Sequence, residues 1–393
     1  MTDAEPTCRP RISIGIVAWN EADAIGATLT SLFRQSLFEE LSRREWSCEI
    51  FCLANGCTDR TPVIAAEIFT AQANSHSFKH TFRCQALDLQ ERGKLNAWNL
   101  FVHKLSAREA GVLFLMDGDI LIRHPRTLWN MYTTLDSETE ANVVIDQPLK
   151  DIALKPRKSL NEWISLATSK MTQTGTAQLT GQLYGIRSEV ARNIYLPRDL
   201  TACEDGFIKS IVCTDFLTKS SSPRRIVQAK EASHIFEAYT SIFDIFKNQK
   251  RQMIGQTIVH LLLDDYLKCL PLTKRLRMAE TLKELEASDP LWLKRLIGEH
   301  TRRTLRFWRL FPNALTFRFQ RLAMLRGLEK ATYLPVAGVG FFVTLIACWM
   351  AWRFLKPGYT NYWPDTRSQK LNQADVGPAD RGNATLVESV VQQ

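Results

Sequence analysis

Three short apolar runs constrain this chain more than any other feature. RISIGIVAW stops at Asn20, CEIFCLA (Cys48–Ala54) stops at Asn55 with Asp59 close behind, and GVLFLMDGDI closes on Asp117 and Asp119. Their β-branched and aromatic content suits buried strands. Helical patterns fill the gaps. Asn20-Glu21-Ala22-Asp23 starts a helix through Ala24–Leu37 with apolar Ile25, Leu29, Leu32 and Phe33, Thr61–Thr70 carries Pro62 near its start, and Lys94–Ala107 follows. Alternating strands and helices predict a mostly parallel sheet with helices on both faces. Ligands of such sheets bind beyond the carboxyl ends of the strands, so Asn20, Asn55, Asp59, Asp117 and Asp119 should converge on one crevice.

The remaining composition bounds the answer. With 393 residues, 45% hydrophobic and 23% charged, the chain is globular and long enough for two or three domains. The net charge of +9 is local: Leu291–Lys330 holds ten basic and two acidic residues, a net +8. No helix-turn-helix, zinc-finger or ribonucleoprotein pattern accompanies it, so nucleic acid is not the expected partner. Nine cysteines without a CxxC pair argue against a zinc site and a disulfide framework, and for a reducing compartment. Ile12–Trp19 is too short for a signal peptide.

Tyr333–Trp352 is a stretch of 20 residues without a charge, with Tyr333, Trp349 and Trp352 near its ends. As a helix it would cross roughly 30 Å, the bilayer core; the alternative is a buried helix of a soluble domain. The basic segment immediately before it would place the N-terminal part in the cytoplasm, as a single-pass protein of an inner or plasma membrane, and the tail outside. Leu305–Arg326 alternates basic and bulky apolar residues around Pro312, which predicts either an interfacial helix pair on anionic lipid or a basic helix packed on the main domain. Asn383-Ala384-Thr385 matches a glycosylation sequon.

Two aspartates flanking a glycine at a strand end suit a hard divalent cation, Mn²⁺ or Mg²⁺, which takes one or two carboxylates plus substrate phosphates. The glycine would let the backbone bend and keep the approach open for a large anion. Taken alone, Asp117-Gly118 also reads as a turn.

The blocks ISIGIVAWNEADAIGATLTSL, EIFCLANGCTDRT, RGKLNAWN, LFLMDGDI, TGQLYGIRSEV and CEDGFIKSIV stand in the order and approximate spacing of the family 2 glycosyltransferases. Over about residues 11–255 the chain resembles a membrane-anchored, bacterial-type member of that family. The resemblance implies an α/β GT-A fold, Rossmann-like with a mostly parallel sheet and flanking helices, followed here by a C-terminal helical segment and one transmembrane helix. It implies that Asp117 and Asp119 form the DxD motif, with Asp119 the more direct metal ligand and Asp117 facing the ribose or metal. Trp19, beside Asn20, would stack on the base, Asn55 and Asp59 would read it and fix the loop, and Lys94 would serve the phosphates. In ACEDG, Asp205 matches the catalytic base, with Glu204 beside it. Arg251 would hold the pyrophosphate. His234, after the strand RIVQAKEAS, either completes the metal shell or is an ordinary surface histidine.

Physical chemistry asks for the same parts. A departing diphosphate needs its charge neutralised, and an acceptor hydroxyl must lose a proton as the bond forms. One base without a second, nucleophilic carboxylate implies a single inverting displacement. The expected activity is transfer of one hexosyl-type sugar from a nucleotide-diphosphate-sugar to a lipid or membrane-associated glycan, as in cell-surface glycan biosynthesis. The family commonly has aspartate where Ala54 and Asn55 stand, and NQKRQMIG (Asn248–Gly255) has Gln252 in place of the tryptophan of polymerising members. The competing readings are a nucleotidyltransferase on a similar sheet, against which AWNEADAIG offers no glycine-rich phosphate loop, and a non-catalytic membrane scaffold. The expected division is a catalytic domain over 1–232, a helical acceptor-side and basic segment over 233–330, a transmembrane helix over 331–353 and a polar, disordered tail over 354–393.

Overall fold

The structure is a computed structural model. It describes residues 10–360 apart from 173–177, 202, 240, 305–306, 312–313 and 325–326. The sequon at Asn383 and most of the expected tail lie outside the described residues.

Eight strands form one curled sheet in the order β3-β2-β1-β4-β7-β6-β8-β5. The strands are β1 (Pro10–Ala18), β2 (Ser47–Asn55), β3 (Phe82–Leu89), β4 (Val112–Asp117), β5 (Leu121–Ile122), β6 (Val143–Lys150), β7 (Leu183–Arg187) and β8 (Ile226–Phe236). The first four run parallel, as the alternating pattern predicts. Beyond β4 the sheet is mixed, with β7 antiparallel to both β4 and β6, and β8 parallel to β6. The helices that matter below are α1 (Ile25–Phe33), α2 (Thr61–Ser75), α3 (Lys94–Leu100), α4 (Thr127–Ser137), α5 (Leu160–Thr172), α6 (Glu204–Cys213), α7 (Ile242–His260), α8 (Trp292–Arg303), α9 (Phe317–Met324) and α10 (Gly327–Leu355).

Period-2 alternation divides the strands between two cores. Ile12, Ile14 and Ile16 of β1 join Leu29, Leu32 and Phe69 on one face, whereas Val17, Leu113 and Leu115 join Phe101, Phe207 and the C-terminal helices on the other. Gly15 is required by the second face: a Cβ there would stand 2.7 Å from the Phe101 ring.

Two features of the C-terminal part bear on its expected form. The interfacial helix pair reduces, among the described residues, to a single turn at Phe307–Leu310 and the two-turn α9. The apolar run lies within the longer α10, and its stretch Tyr333–Leu355 is long and apolar enough to cross a membrane. Yet α10 packs lengthwise on α7, α5, α9 and α8. Beyond it, Thr360 donates to Asp199 Oδ1 at 3.0 Å, and its carbonyl accepts a bond from Thr201. The chain therefore returns to the loop preceding α6.

Candidate active site

The ends of β1, β2 and β4 meet as the sheet order requires, and the loops beyond them are laced together. Asn55 is buried. Its Nδ2 donates to Ala18 O at 2.7 Å and its Oδ1 accepts from Gly93 N at 3.1 Å, so one carboxamide joins β1, β2 and the start of α3. Asn20 takes a left-handed backbone (φ 55°), and its Oδ1 accepts from Thr58 N at 2.8 Å. Asp59 Oδ2 accepts from Ala22 N at 3.0 Å while Oδ1 accepts from the amide and hydroxyl of Thr61. Asn20, Asn55 and Asp59, expected at the donor, are thus also the joints of its loops. Trp19 carries the Arg92 guanidinium 3.6 Å over its ring, a cation–π contact on the face expected to receive a base.

Gly118 holds the DGD turn against β1. Its N–H donates to Val17 O at 2.9 Å, its carbonyl accepts from Thr28 Oγ1 at 2.8 Å, and a Cβ would lie 2.7 Å from that of Ala18. Close packing against β1, rather than backbone bending or room for an anion, is the structural reason for a glycine here.

Lys94, the first residue of α3, is the centre of the site. Its Nζ lies 2.7 Å from Asp117 Oδ1 and 3.0 Å from Glu204 Oε1, and donates to Gly181 O at 3.1 Å. Burial opposes its charge, but the two carboxylates outweigh burial and push its pKa above the ordinary lysine value. One ammonium does not neutralise everything around it. Burial and the charge of Asp119 raise Asp117 to about 7 in spite of Lys94, whereas Glu204, though less exposed than Asp117, is held below the usual carboxylate range by Lys94. Asp205, its neighbour, is raised to about 6 by burial and by the Glu204 charge. On α7, Arg251 favours ionised Glu204 and Asp205 through its charge, and it donates to Asn248 Oδ1 at 3.1 Å. A small cavity opens here, lined by Lys94, Trp98, Asp117, Gly181, Tyr184 and Asp205 among others. Trp98 Nε1 donates to Tyr184 Oη at 2.7 Å beneath it.

Further toward the surface, Glu21 is raised to about 9 by burial and by the charges of Asp119, Asp117 and Asp59. Among the described residues no three His, Cys, Asp or Glu side chains form a ready-made metal cage. The donor set nevertheless fits Mn²⁺ or Mg²⁺: hard carboxylate oxygens carry excess negative charge, and such ions take only one or two carboxylates from the protein when phosphates supply the rest.

His234 is not a surface histidine. The strand runs past Ser233 to Phe236, so His234 lies inside β8 with 0% exposure. Its Nδ1 stands 2.8 Å from Asp146 Oδ2 and its Nε2 3.3 Å from Gln182 Oε1. Gln182 O in turn accepts from Asp117 N at 2.9 Å, so Gln182 links the ring to the start of the DGD turn. A carboxylate on the far nitrogen is the usual support of a metal-binding imidazole. Sequence reasoning missed Glu21, Asp146, Gly181 and Gln182. Of these, Glu21 and Gly181 were legible as members of strand-end blocks, whereas the Asp146–His234 pair joins residues 88 apart.

A mostly parallel sheet whose strand ends gather the DGD turn, Lys94 and the Glu204-Asp205 pair is a GT-A fold. The family described as glycosyl transferase family 2 matches residues 13–194, a little under half of the chain. No curated protein matches the sequence. Among solved structures, S. aureus TarS 1–349 in complex with UDP-GlcNAc is similar at 15% identity over 88% of this chain and 92% of that one, with a TM-score of 0.41. Glucosyl-3-phosphoglycerate synthase from Mycobacterium tuberculosis, in complex with Mn²⁺, UDP-glucose and phosphoglyceric acid, shares 16% identity over 64% and 79% of the two chains, TM-score 0.41.

Proposed function

We propose that this glycosyltransferase moves one sugar from a nucleotide-diphosphate-sugar to a hydroxyl of a lipid or membrane-associated glycan, with inversion at the anomeric carbon and with Mn²⁺ or Mg²⁺. The observation that carries the reading is the Lys94 bridge, which joins Asp117 of the DGD turn to Glu204, both lining one cavity with Asp205. Asp117 and Asp119 would hold the metal, with His234 the nearest imidazole. When bound, the ion supplies positive charge to the departing diphosphate. Lys94 and Arg251 add fixed cations on the same side. Trp19 and the loops braced by Asn20, Asn55 and Asp59 would receive the nucleoside, with Arg92 displaced from the indole face. Asp205 takes the acceptor proton: a carboxyl near 6 is ionised at neutral pH and is more basic than an ordinary aspartate. Glu204, kept ionised by Lys94, sustains that basicity from the adjacent position.

Thermal-shift titration with nucleotide-sugars, with and without Mn²⁺, tests the reading. The native chain should be stabilised by at least one donor only when metal is present, and Asp119→Ala should lose that stabilisation together with metal-stimulated transfer or donor hydrolysis while keeping its own melting temperature. Unimpaired turnover by Asp119→Ala would refute the metal assignment. The membrane side of the proposal rests on the apolar and basic C-terminal segments, with the catalytic domain facing the cytoplasm.

A further inference from the structure

Helix α10 is long and apolar enough to span a bilayer, but three contacts tie it to the catalytic domain at its middle and beyond its end. Thr344 is the central residue of the Tyr333–Leu355 stretch. It accepts a hydrogen bond from Arg318 of α9, a residue only 4% exposed whose guanidinium also donates to Gln249 Oε1 of α7 at 3.1 Å. Gly340 leaves the space for this arginine, since a Cβ there would stand 2.8 Å from its Nε. Past the helix, Gly358 packs against Gly298 of α8, and Thr360 is bonded to Asp199 and Thr201. Spanning would put Thr344 roughly 15 Å deep in hydrocarbon. It would carry there a buried guanidinium and the helix that bears Arg251, or else break every one of these contacts.

The two faces of α10 divide accordingly. Ala337, Thr344, Ala347, Cys348, Ala351 and Leu355 are buried on the domain, at helical spacing. Val339, Phe342, Ile346 and Trp349 form the opposite stripe and are 67%, 63%, 50% and 43% exposed. Cations lie on α10 and on the elements packed around it. Arg302 and Arg303 of α8, Arg309 of the following turn and Lys330 are exposed, and Arg353 lies 5.0 Å over the Trp349 ring; Glu299 of α8 is exposed as well. An apolar stripe flanked by arginines and lysines is complementary to an anionic bilayer surface.

We infer that α10 is an in-plane membrane anchor: its Val339–Trp349 stripe enters the interface of an anionic bilayer, the flanking cations meet the headgroups, and the chain on both sides of the helix stays on the catalytic domain's side. This replaces the single-pass arrangement expected from hydropathy, in which the tail crosses. It bears on the acceptor side of the proposed function and on none of its chemistry. Both readouts below are made without turnover, so they fail or succeed apart from the glycosyltransfer reading.

The experiment uses the full chain with a C-terminal epitope, synthesised cell-free in the presence of sealed inverted bacterial inner-membrane vesicles and then treated with protease. The epitope should be digested without detergent, like the catalytic domain; an epitope protected until detergent is added would overturn the inference. In parallel, the purified chain should float with phosphatidylcholine vesicles containing phosphatidylglycerol, not with phosphatidylcholine alone, and less in high salt. Phe342→Glu and Trp349→Glu should each lower flotation at least about tenfold, the order expected for withdrawing one large apolar side chain, with melting temperature unchanged. Salt-sensitive flotation of the native chain keeps the test decisive if a variant misfolds. A native dimer that these variants turn into monomers, without vesicle binding, would assign the stripe to a second copy and overturn the proposal.

Discussion

Replacing Lys94 with methionine removes one charge from between two carboxylates while keeping most of the side chain's bulk. In the native site the ammonium lies 2.7 Å from Asp117 and 3.0 Å from Glu204, and all three groups are at least three-quarters withdrawn from water. Breaking a buried pair by deleting one partner typically costs about 3–5 kcal/mol, because the remaining charge has no partner. Two carboxylates are stranded here, but one protonates readily, since Asp117 already stands at about 7 with the lysine present. The loss should therefore stay near one pair, about 3–5 kcal/mol. A domain of this size shifts its melting temperature by roughly 2 °C per kcal/mol, which gives a fall of roughly 6–10 °C at neutral pH. The sign of the pH dependence follows from the carboxylates: without Lys94 their folded pKa values rise, so the penalty grows from pH 5 to pH 8 and shrinks in acid. Scanning calorimetry on Lys94→Met, Glu204→Gln and the double variant measures the coupling. The double variant should recover part of the loss, with a non-additivity of at least about 1 kcal/mol. Additive effects, or a Lys94→Met chain that melts within a degree of the native protein at pH 8, would refute the shared-ammonium account.

Three further outcomes follow from the site. The rate at low donor and acceptor concentration should rise with pH through about 6, where Asp205 ionises, and Asp205→Asn should lower it by at least about 100-fold and abolish that limb; a profile unchanged in shape would remove Asp205 as base. Gly118→Ala should destabilise the fold by about 1–3 kcal/mol through overpacking against Ala18 and weaken Mn²⁺-dependent donor binding, both visible in thermal-shift curves. Asn55→Ala should cost about 1–3 kcal/mol because Gly93 N and Ala18 O lose a buried partner, and a chemical-denaturation midpoint equal to the native one would show that the brace is dispensable.

Strands β1, β2 and β4 were legible because each is an apolar run that stops at a polar side chain, and each stop lands in the crevice; β3, FRCQALDL, has no such run and was not predicted. The DGD turn was readable for the same reason, whereas the Glu204-Asp205 pair stood out only through the family resemblance, since two acids at a helix start are ordinary by themselves. What escaped depends on partners distant in the chain. His234 reads as a surface residue beside the charged stretch Lys230–Glu231, and only β8 pairing with β6 puts Asp146 against it. The antiparallel β7 also leaves no periodicity of its own in five residues. Hydropathy registers that α10 is apolar all round, but small residues on one face and large ones on the other become meaningful only once Arg318 is seen bonded to Thr344.

The return of the chain to the loop before α6 bears on how the protein can be produced. Cys203, immediately ahead of Glu204, has φ 108°, a backbone region that a non-glycine residue occupies only when its surroundings hold it there. Thr360 bonds to Asp199 and Thr201 a few residues upstream. An expression fragment cut before the apolar helix, the customary way to make a membrane enzyme soluble, would delete that clasp along with the helix. Its loss of turnover would then report a relaxed loop rather than a missing membrane, so a detergent-solubilised chain extending through Thr360 is the appropriate reagent for enzymology.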